Sequence, residues 1–338
     1  MKAVRYHGPD QPLRLDEVPV PEPGPGEVLI KVRAAGVCHT ELHFLSGLLD
    51  LGVKPVTLGH EIAGVVESVG PGVDLPRKGD RVVVYYYVGC GRCGQCLKGN
   101  ENLCGSPRAE YGFISDGGFA EYVKVPARNA VPVPEHVSDT DIAPIGCSVT
   151  TAIHAGRLAG LQAGDFVLVY GIGAVGFGLI QLGRLAGATV IAVGRNAEKI
   201  ELAGELGAHY VIDSGKENVP ERVGQITGGH GADVIFELVA TNRTMAHSVE
   251  SVAKRGKIVF IGYSFDSFTV HPIQLVIKEA TVIGSVGNTL EELYQAVRWL
   301  AEGKIKTVVD RTLKLERFQE GIDGLKAGKL VGRAVLTP

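Results

Sequence analysis

The sequence has no run of like charges and no apolar leader segment, and both absences limit what the chain can do. Its 338 residues carry 34 basic and 37 acidic side chains, for a net charge of −3 at pH 7. This balance gives no electrostatic reason to expect nucleic acid or an anionic membrane as a partner. The first ten residues, MKAVRYHGPD, lack the apolar core of an export signal. We therefore expect a cytoplasmic protein.

Long uncharged stretches are also scarce. Residues 166–183, FVLVYGIGAVGFGLIQLG, form a stretch of eighteen residues without a charge, which is near the lower limit for a membrane-spanning helix. Five of these residues are glycine, and the segment divides into a short apolar strand and a glycine turn. We therefore expect no membrane partner.

The glycines in this stretch favour a dinucleotide site. Gly171, Gly173 and Gly176 have the spacing G-x-G-x-x-G, after an apolar strand and before a helical segment and a second strand. In such a β-α-β unit the glycines allow a tight turn, close approach of a pyrophosphate and close helix packing. The helix N-terminus then faces the anion. The sequence predicts that the cofactor contacts Gly171, Gly173, Ala174, Val175 and Gly176.

The end of the second strand should indicate which dinucleotide is bound. In NAD-binding proteins an Asp or Glu about 20 residues after the first glycine binds the adenosine ribose hydroxyls. Here Gly194 occupies that place and Arg195 follows it. No carboxylate repels a 2′-phosphate, and Arg195, with Lys199 as a second positive charge, can bind one. We therefore expect NADP(H) rather than NAD(H); the alternative is a solvated Arg195 and NAD.

Cysteine is rare, yet four of the six cysteines fall in the fifteen residues CGRCGQCLKGNENLC, from Cys90 to Cys104. Two disulfides, an iron–sulfur cluster and a structural zinc are all compatible with four thiols. Disulfides are disfavoured where no export signal is present, and four cysteines in one short lobe are more often a closed zinc site. The pattern favours structural zinc on Cys90, Cys93, Cys96 and Cys104.

The other two cysteines, Cys38 and Cys147, lie far apart in the sequence, with His60 between them. Two thiolates and one imidazole would hold a zinc with its fourth position open for water or substrate, which is the catalytic arrangement. The alternative is that both cysteines are small buried apolar residues. We favour the metal because all six cysteines then belong to two zinc sites.

These motifs together resemble those of the zinc-containing medium-chain dehydrogenase/reductase family, alcohol dehydrogenase type. GVCHTELH, GHE(x)2G(x)5G, the cysteine lobe, CSVTTA and GIGAVG occur in the order and spacing of the family, over essentially the whole chain. The resemblance implies that Cys38, His60 and Cys147 bind the catalytic zinc, with Glu61 beside the metal. It also implies that Thr40 takes the proton of the alcohol and that His43 passes it to solvent.

The resemblance further assigns residues to the cofactor and the substrate. It implies that His39 and Arg333 bind the cofactor pyrophosphate, and that Thr151 lies against the nicotinamide. Tyr86 is expected to form an aromatic wall of the substrate pocket; the alternatives are that Tyr85 or Tyr87 takes this place, or that Tyr86 only packs in the core. If residues 85–87 are a regular strand, then Tyr85 and Tyr87 point away from Tyr86.

The fold implied is α/β, with a GroES-like β-barrel catalytic domain and a Rossmann doubly wound parallel-sheet cofactor domain. The first would comprise residues 1–148 and 286–338, including the zinc lobe at 90–104, and the second residues 149–285. The function implied is hydride transfer between an alcohol and a nicotinamide cofactor, or the reverse reduction of an aldehyde or ketone, by a homo-oligomer, either a dimer or a tetramer. The alternatives are a polyol-type or zinc-independent NADPH reductase of the same fold, and a non-catalytic NADPH sensor.

Overall fold

The computed structural model describes residues 1–338, which divide into two compact units. The first unit comprises Met1–Thr150 and Asn288–Pro338, and the second comprises Thr151–Gly287. No helix combines the length and the apolar character that crossing a membrane requires.

The first unit is built mainly of β-strands. Its elements before the second unit are β1 Lys2–Tyr6, β2 Arg14–Glu17, β3 Glu27–Val37, α1 His39–Leu45, β4 Val56–Thr57, β5 Glu61–Val69, β6 Arg81–Val84, β7 Tyr87–Val88, β8 Ala109–Glu110, β9 Tyr122–Pro126, β10 Ala130–Pro132 and α2 Asp139–Ile142.

The second unit alternates strands and helices. Its elements are α3 Ser148–Ala159, which begins in the first unit, β11 Phe166–Tyr170, α4 Ala174–Leu185, β12 Thr189–Gly194, α5 Ala197–Glu205, β13 Tyr210–Asp213, α6 Val219–Ile226, β14 Ala232–Glu237, α7 Asn242–Ser251, β15 Val252–Phe260, α8 Pro272–Val276 and β16 Thr281–Gly284. The chain then completes the first unit with α9 Leu290–Ala301, β17 Val309–Lys314, α10 Phe318–Lys326 and β18 Arg333–Thr337.

Strand β3 organises the first unit because it is long enough to have different neighbours along its length. It pairs with β5 along most of its eleven residues, with β9 at its start and with β18 at its end, always antiparallel. Register shifts after Leu29 and Val32 are irregularities of the kind that bend a strand. The resulting sheet has the order β10-β6-β5-β3-β18-β17, with β9 also on β3. The first residues of β18 therefore lie beside the last residues of β3.

The second unit contains a six-stranded parallel sheet of order β13-β12-β11-β14-β15-β16. Counted from β11, this is 3-2-1-4-5-6, the order of a doubly wound dinucleotide-binding sheet. Leu168, Ile191, Ile235 and Ile258, one from each of four neighbouring strands, are fully buried in its core. The predicted doubly wound parallel sheet is confirmed.

Candidate active site

Four potential metal ligands converge in the first unit. Cys38 follows β3 and precedes α1, His60 immediately precedes β5, Glu61 is the first residue of β5, and Cys147 precedes α3. One ligand atom from each of the four residues lies within 4.8 Å of the other three. The first three are held at the ends of paired strands, so β3 and β5 bring together ligands that are distant in sequence.

His60 has the features of a metal ligand that its neighbours orient. The ring is 1% exposed, and neither ring nitrogen has a hydrogen-bond partner within the protein. Buried polar atoms without a partner are rare and need an explanation. Nδ1 lies 3.5 Å from Oε1 of Glu41, while Oε2 of Glu41 accepts the backbone N–H of Cys38 at 2.6 Å. A carboxylate beside a metal-binding imidazole orients the ring, and Glu41 is placed to do so for His60.

Glu61 and Arg333 form a buried ion pair at the same place. Nη2 of Arg333 donates to Oε1 of Glu61 at 2.7 Å, and Nε donates to both carboxylate oxygens at 3.0 and 3.1 Å. Nη2 also lies 3.2 Å from the sulfur of Cys38. Burial raises the pKa of Glu61 to about 7, although the guanidinium opposes this. Arg333, expected at the cofactor pyrophosphate, is therefore directed in this structure at the metal-ligand cluster.

The two thiols of this cluster have pKa values that are shifted in opposite directions. A hydrogen bond from Cys147 holds the pKa of Cys38 well below its usual range, and Arg333 acts in the same direction. The same contact, together with burial, raises the pKa of Cys147 well above its usual value. A divalent cation would allow both thiols to be thiolates, since two thiolates and a neutral imidazole balance its charge. The donor set fits zinc by type as well as by number.

Helix α1 carries the residues expected to move a proton. Thr40 is 9% exposed, and its hydroxyl oxygen lies 3.5 Å from the sulfur of Cys38. His43 is one helical turn further on and partly buried, and its ring contacts that of the exposed His39 with centroids 5.5 Å apart. Burial and the nearby His39 lower the pKa of His43. The lowered pKa favours the neutral form of its imidazole, the form that can accept a proton.

Aromatic rings cover the cluster on one side. The ring centroid of Tyr86 is 5.2 Å from that of His60, and Phe113 stacks on Tyr86 at 5.7 Å and lies 5.0 Å from His60. The resemblance predicts Tyr86 beside the cluster. It does not predict Phe113, because nothing in the surrounding sequence, GFISDGG, distinguishes Phe113 from a core residue.

The expectation that Tyr85 and Tyr87 both point away from Tyr86 is wrong for Tyr87. The ring centroids of Tyr86 and Tyr87 are 4.2 Å apart, and the hydroxyl of Tyr86 donates to that of Tyr87 at 3.3 Å. Tyr85 instead donates its hydroxyl to the carbonyl of Asn288 at 3.0 Å. Strand alternation fails because β6 ends at Val84 and β7 begins at Tyr87. Asn129 holds this irregular link by donating to the carbonyls of both Tyr85 and Tyr87.

The four lobe cysteines form a second cluster. Their sulfurs all lie within 4.8 Å of one another, and three of the sulfur pairs are separated by 3.5, 3.9 and 4.0 Å. A tetrahedral zinc with bonds of about 2.3 Å requires sulfurs about 3.8 Å apart. Backbone N–H groups from Arg92 and Cys93 lower the pKa of Cys90 to about 6, which favours its thiolate. At the base of the lobe, Glu101 accepts hydrogen bonds from the backbone of Gly89 and from Arg128.

The glycine turn of the second unit has the geometry that its spacing predicts. Gly171 has φ +116°, a conformation that side chains other than glycine rarely adopt. A Cβ added to Gly176 would lie 2.2 Å from the carbonyl oxygen of Gly171, so only glycine lets α4 approach β11 this closely. A Cβ on Gly173 would meet nothing within 4 Å. The turn is thus tight inside and open on the side where a pyrophosphate would approach, and Ala174 and Val175 begin the helix.

The remaining cofactor candidates lie near the ends of the strands and helices of this unit. Gly194 is the last residue of β12, and a Cβ there would come within 2.6 Å of Cδ1 of Ile172. Arg195 is exposed, and Lys199 is in the first turn of α5, whose N-cap is Asn196. Thr151, in α3, is buried.

Comparison with known proteins agrees with these features. Residues 24–135 match the family described as alcohol dehydrogenase GroES-like domain, and residues 174–302 match zinc-binding dehydrogenase. An NAD-dependent alcohol dehydrogenase of Sulfurisphaera tokodaii is 40% identical, and the alignment covers 100% of both chains.

Solved structures lead to the same family. The alcohol dehydrogenase of the archaeon Aeropyrum pernix superposes with a TM-score of 0.93 at 32% identity, over 100% of both chains. A Sinorhizobium meliloti 1021 protein of the zinc-binding dehydrogenase type, bound to NADP, has a TM-score of 0.91 at 33% identity, over 100% of this chain and 99% of that one. The GroES-like and Rossmann parts are therefore confirmed, and this chain belongs to the zinc-type medium-chain alcohol dehydrogenases.

Proposed function

We propose that this protein oxidises an alcohol, or reduces an aldehyde or ketone, with two zinc ions per chain. Residues 1–148 and 286–338 would form the catalytic domain and residues 149–285 the cofactor domain. The observation that carries this proposal is the convergence of Cys38, His60, Glu61 and Cys147 within 4.8 Å, around an imidazole with no hydrogen-bond partner. Cys38, His60 and Cys147 would hold the catalytic zinc, and Glu61 would be a reserve ligand. Cys90, Cys93, Cys96 and Cys104 would hold the structural zinc.

The chain contributes positioning and proton transfer. When bound, zinc supplies a Lewis acid and the nicotinamide a hydride acceptor or donor. The Thr40 hydroxyl, beside Cys38, would accept the proton of the substrate hydroxyl as it gives up its own, and the neutral imidazole of His43 would take up the released proton and pass it to solvent. Tyr86 and Phe113 cover the same side of the cluster with apolar rings and exclude water.

Metal analysis tests the proposal directly. We expect two zinc ions per chain in protein purified without chelator, one of them lost in Cys38→Ser. Fewer than one zinc per chain, with reductase activity intact, would favour the zinc-independent NADPH reductase.

Substitution of Thr40 distinguishes an enzyme from a non-catalytic, cofactor-binding sensor. Thr40→Ala should lower kcat by about 100-fold or more, because general acid–base catalysis contributes that much. Thr40→Ser keeps the hydroxyl and should stay within about tenfold of the wild type. Both variants should bind cofactor normally in a fluorescence titration. Unchanged turnover in Thr40→Ala would contradict the assignment.

For the cofactor we propose NADP(H) rather than NAD(H), bound along Gly171–Gly176 with Arg195 and Lys199 at the 2′-phosphate. The absence of a carboxylate at Gly194 supports this. Arg243 adds a further positive charge to this region, since its guanidinium and that of Arg195 both act to lower the pKa of Tyr170. The Sulfurisphaera tokodaii relative is named NAD-dependent, whereas the Sinorhizobium meliloti structure contains NADP. His39 and Arg333 would bind the pyrophosphate, and Thr151 would contact the nicotinamide. To bind the pyrophosphate, the side chain of Arg333 would have to break its ion pair with Glu61.

A titration of the zinc-loaded protein with NADPH and NADH, followed by nucleotide fluorescence, tests the preference. We expect NADPH to bind at least about tenfold more tightly, and Arg195→Ala to remove most of the difference. NADH binding as tightly as NADPH would overturn the preference and leave the zinc chemistry unaffected.

We also propose a homo-oligomer in the cytoplasm. β16 is the last strand of its sheet, and apolar side chains on it and in the segment that precedes it are exposed: Phe265 by 72%, Ile273 by 64%, Val276 by 70%, Ile277 by 65% and Val282 by 46%. An unpaired, apolar edge strand readily pairs with another chain. A reducing compartment would keep all six cysteines available as thiols, which is how the structure has them.

A further inference from the structure

One carboxylate beside the metal-ligand cluster has no partner in the protein. Glu110 is partly buried, yet its side chain accepts no hydrogen bond and forms no ion pair, and the imidazole of His60 is the one titratable group that acts on it. Every acidic side chain that the structure buries fully has a donor or a cation: Glu41, Glu61, Glu101, Glu237 and Glu292. A shielded carboxylate without a partner is costly, so Glu110 needs an explanation.

Strand pairing places Glu110 among the rings that cover the cluster. On β8 it lies directly opposite Tyr87 of β7, so the two side chains share one face of the pair. The hydroxyl of Tyr87 meets that of Tyr86, whose ring lies against His60.

The backbone at Glu110 turns back toward the same rings. Its carbonyl accepts the N–H groups of Phe113, Ile114 and Ser115 at 3.0, 3.0 and 3.1 Å. This turn places Phe113 against His60 and Tyr86. Glu110 is therefore the acidic group in an otherwise aromatic surface of Tyr86, Tyr87 and Phe113.

We propose that Glu110 and this aromatic surface bind a primary ammonium group of the substrate, so that the preferred substrates are amino alcohols or the corresponding amino aldehydes. The inference rests on the proposed function, since it assigns the substrate class of that site. A cation gives the carboxylate the partner that it lacks, and the faces of tyrosine and phenylalanine rings attract cations.

Two further considerations agree with a cationic substrate. A zinc with two thiolates and one neutral imidazole has no net charge, so the metal centre would not repel an ammonium group. Burial raises the pKa of Glu110 to about 7, which shows that the site disfavours the unpaired charge; an adjacent cation stabilises it. An unsubstituted alkanol would leave Glu110 unpaired.

Three pairs of substrates with equal numbers of heavy atoms test the inference: 2-aminoethanol with 1-propanol, 3-amino-1-propanol with 1-butanol, and 4-amino-1-butanol with 1-pentanol. With the zinc-loaded wild type at saturating cofactor, we expect kcat/KM to favour the amino alcohol in at least one pair. Glu110→Gln should lower kcat/KM for that amino alcohol by about tenfold or more, mainly through KM. The matching alkanol should change by less than about threefold, and the exposed Glu135→Gln is the control.

Calorimetric titration with n-butylammonium provides a readout that does not depend on turnover. Its affinity should fall about tenfold in Glu110→Gln and remain unchanged in Glu135→Gln. The inference is overturned if the wild type favours the alkanol in all three pairs, or if Glu110→Gln affects both members of a pair equally. If the wild type oxidises no alcohol at all, the proposed function fails, and the calorimetry alone decides whether Glu110 binds a cation.

Discussion

At the scale of single residues, the ion pair between Arg333 and Glu61 connects the last strand of the chain to the metal-ligand cluster. Both side chains are buried, and the guanidinium also touches the sulfur of Cys38. Such a pair couples the position of Glu61, which we propose as a reserve ligand, to that of Arg333, which we propose as a cofactor-binding group. The buried charges stabilise the fold only while both are present.

Arg333→Gln should therefore lower the free energy of unfolding by about 2 kcal/mol or more, because the Glu61 carboxyl is left buried without its cation. The double variant with Glu61→Gln should lose less than the single variant, since no charge then remains unpaired. Urea denaturation at a fixed zinc concentration measures both. A double variant less stable than Arg333→Gln would show that the pair does not act in this way.

At the scale of elements, two glycines of the turn between β11 and α4, Gly173 and Gly176, have different roles. Gly176→Ala should destabilise the protein by about 2 kcal/mol, because its Cβ would lie 2.2 Å from the carbonyl oxygen of Gly171. Gly173→Ala should leave stability within about 0.5 kcal/mol, since its Cβ meets no protein atom. Its dissociation constant for the nucleotide should nevertheless rise at least about tenfold, because the methyl group occupies the side open to the pyrophosphate.

Thermal unfolding without nucleotide and a fluorescence titration measure the two effects separately. Equal nucleotide affinity in Gly173→Ala and the wild type would place the pyrophosphate elsewhere.

The role of the cysteine lobe can also be tested by itself. Cys96→Ser should remove one zinc per chain and lower the melting temperature, since a closed thiolate site contributes to folding. Leu97→Ser is the matched control, because Leu97 is 74% exposed and adjacent in sequence. Metal analysis and calorimetry provide the readouts. Retention of both zinc ions in Cys96→Ser would exclude a four-cysteine site.

At the scale of the whole molecule, the parallel sheet has two edge strands, β16 and β13. Val282→Lys on β16 should reduce the proposed oligomer to smaller species, because a lysine there opposes edge pairing. Val211→Lys on β13, the other edge strand, changes a valine that is 38% exposed, and it should leave the assembly intact. Light scattering after size exclusion gives the mass of each. An unchanged mass for Val282→Lys would exclude this edge as the interface.

The sequence by itself determined the parts whose requirements are local or chemical. Gly171 and Gly176 were predictable because a positive φ and a close approach admit no other residue. The two clusters of candidate metal ligands were predictable because only a few residue types bind zinc. Alternation of apolar strands with helices similarly indicated the parallel sheet.

Only the tertiary structure decided which side chains meet around these parts. The pairing of β7 with β8 sets Glu110 opposite Tyr87, and the turn that follows sets Phe113 against His60; neither residue belongs to a motif. Tyr87 turned toward Tyr86 because the strand is interrupted, and Arg333 turned to Glu61 because β18 lies beside β3. Contacts of this kind depend on packing between distant segments, and the period and spacing of residues along the chain do not encode them.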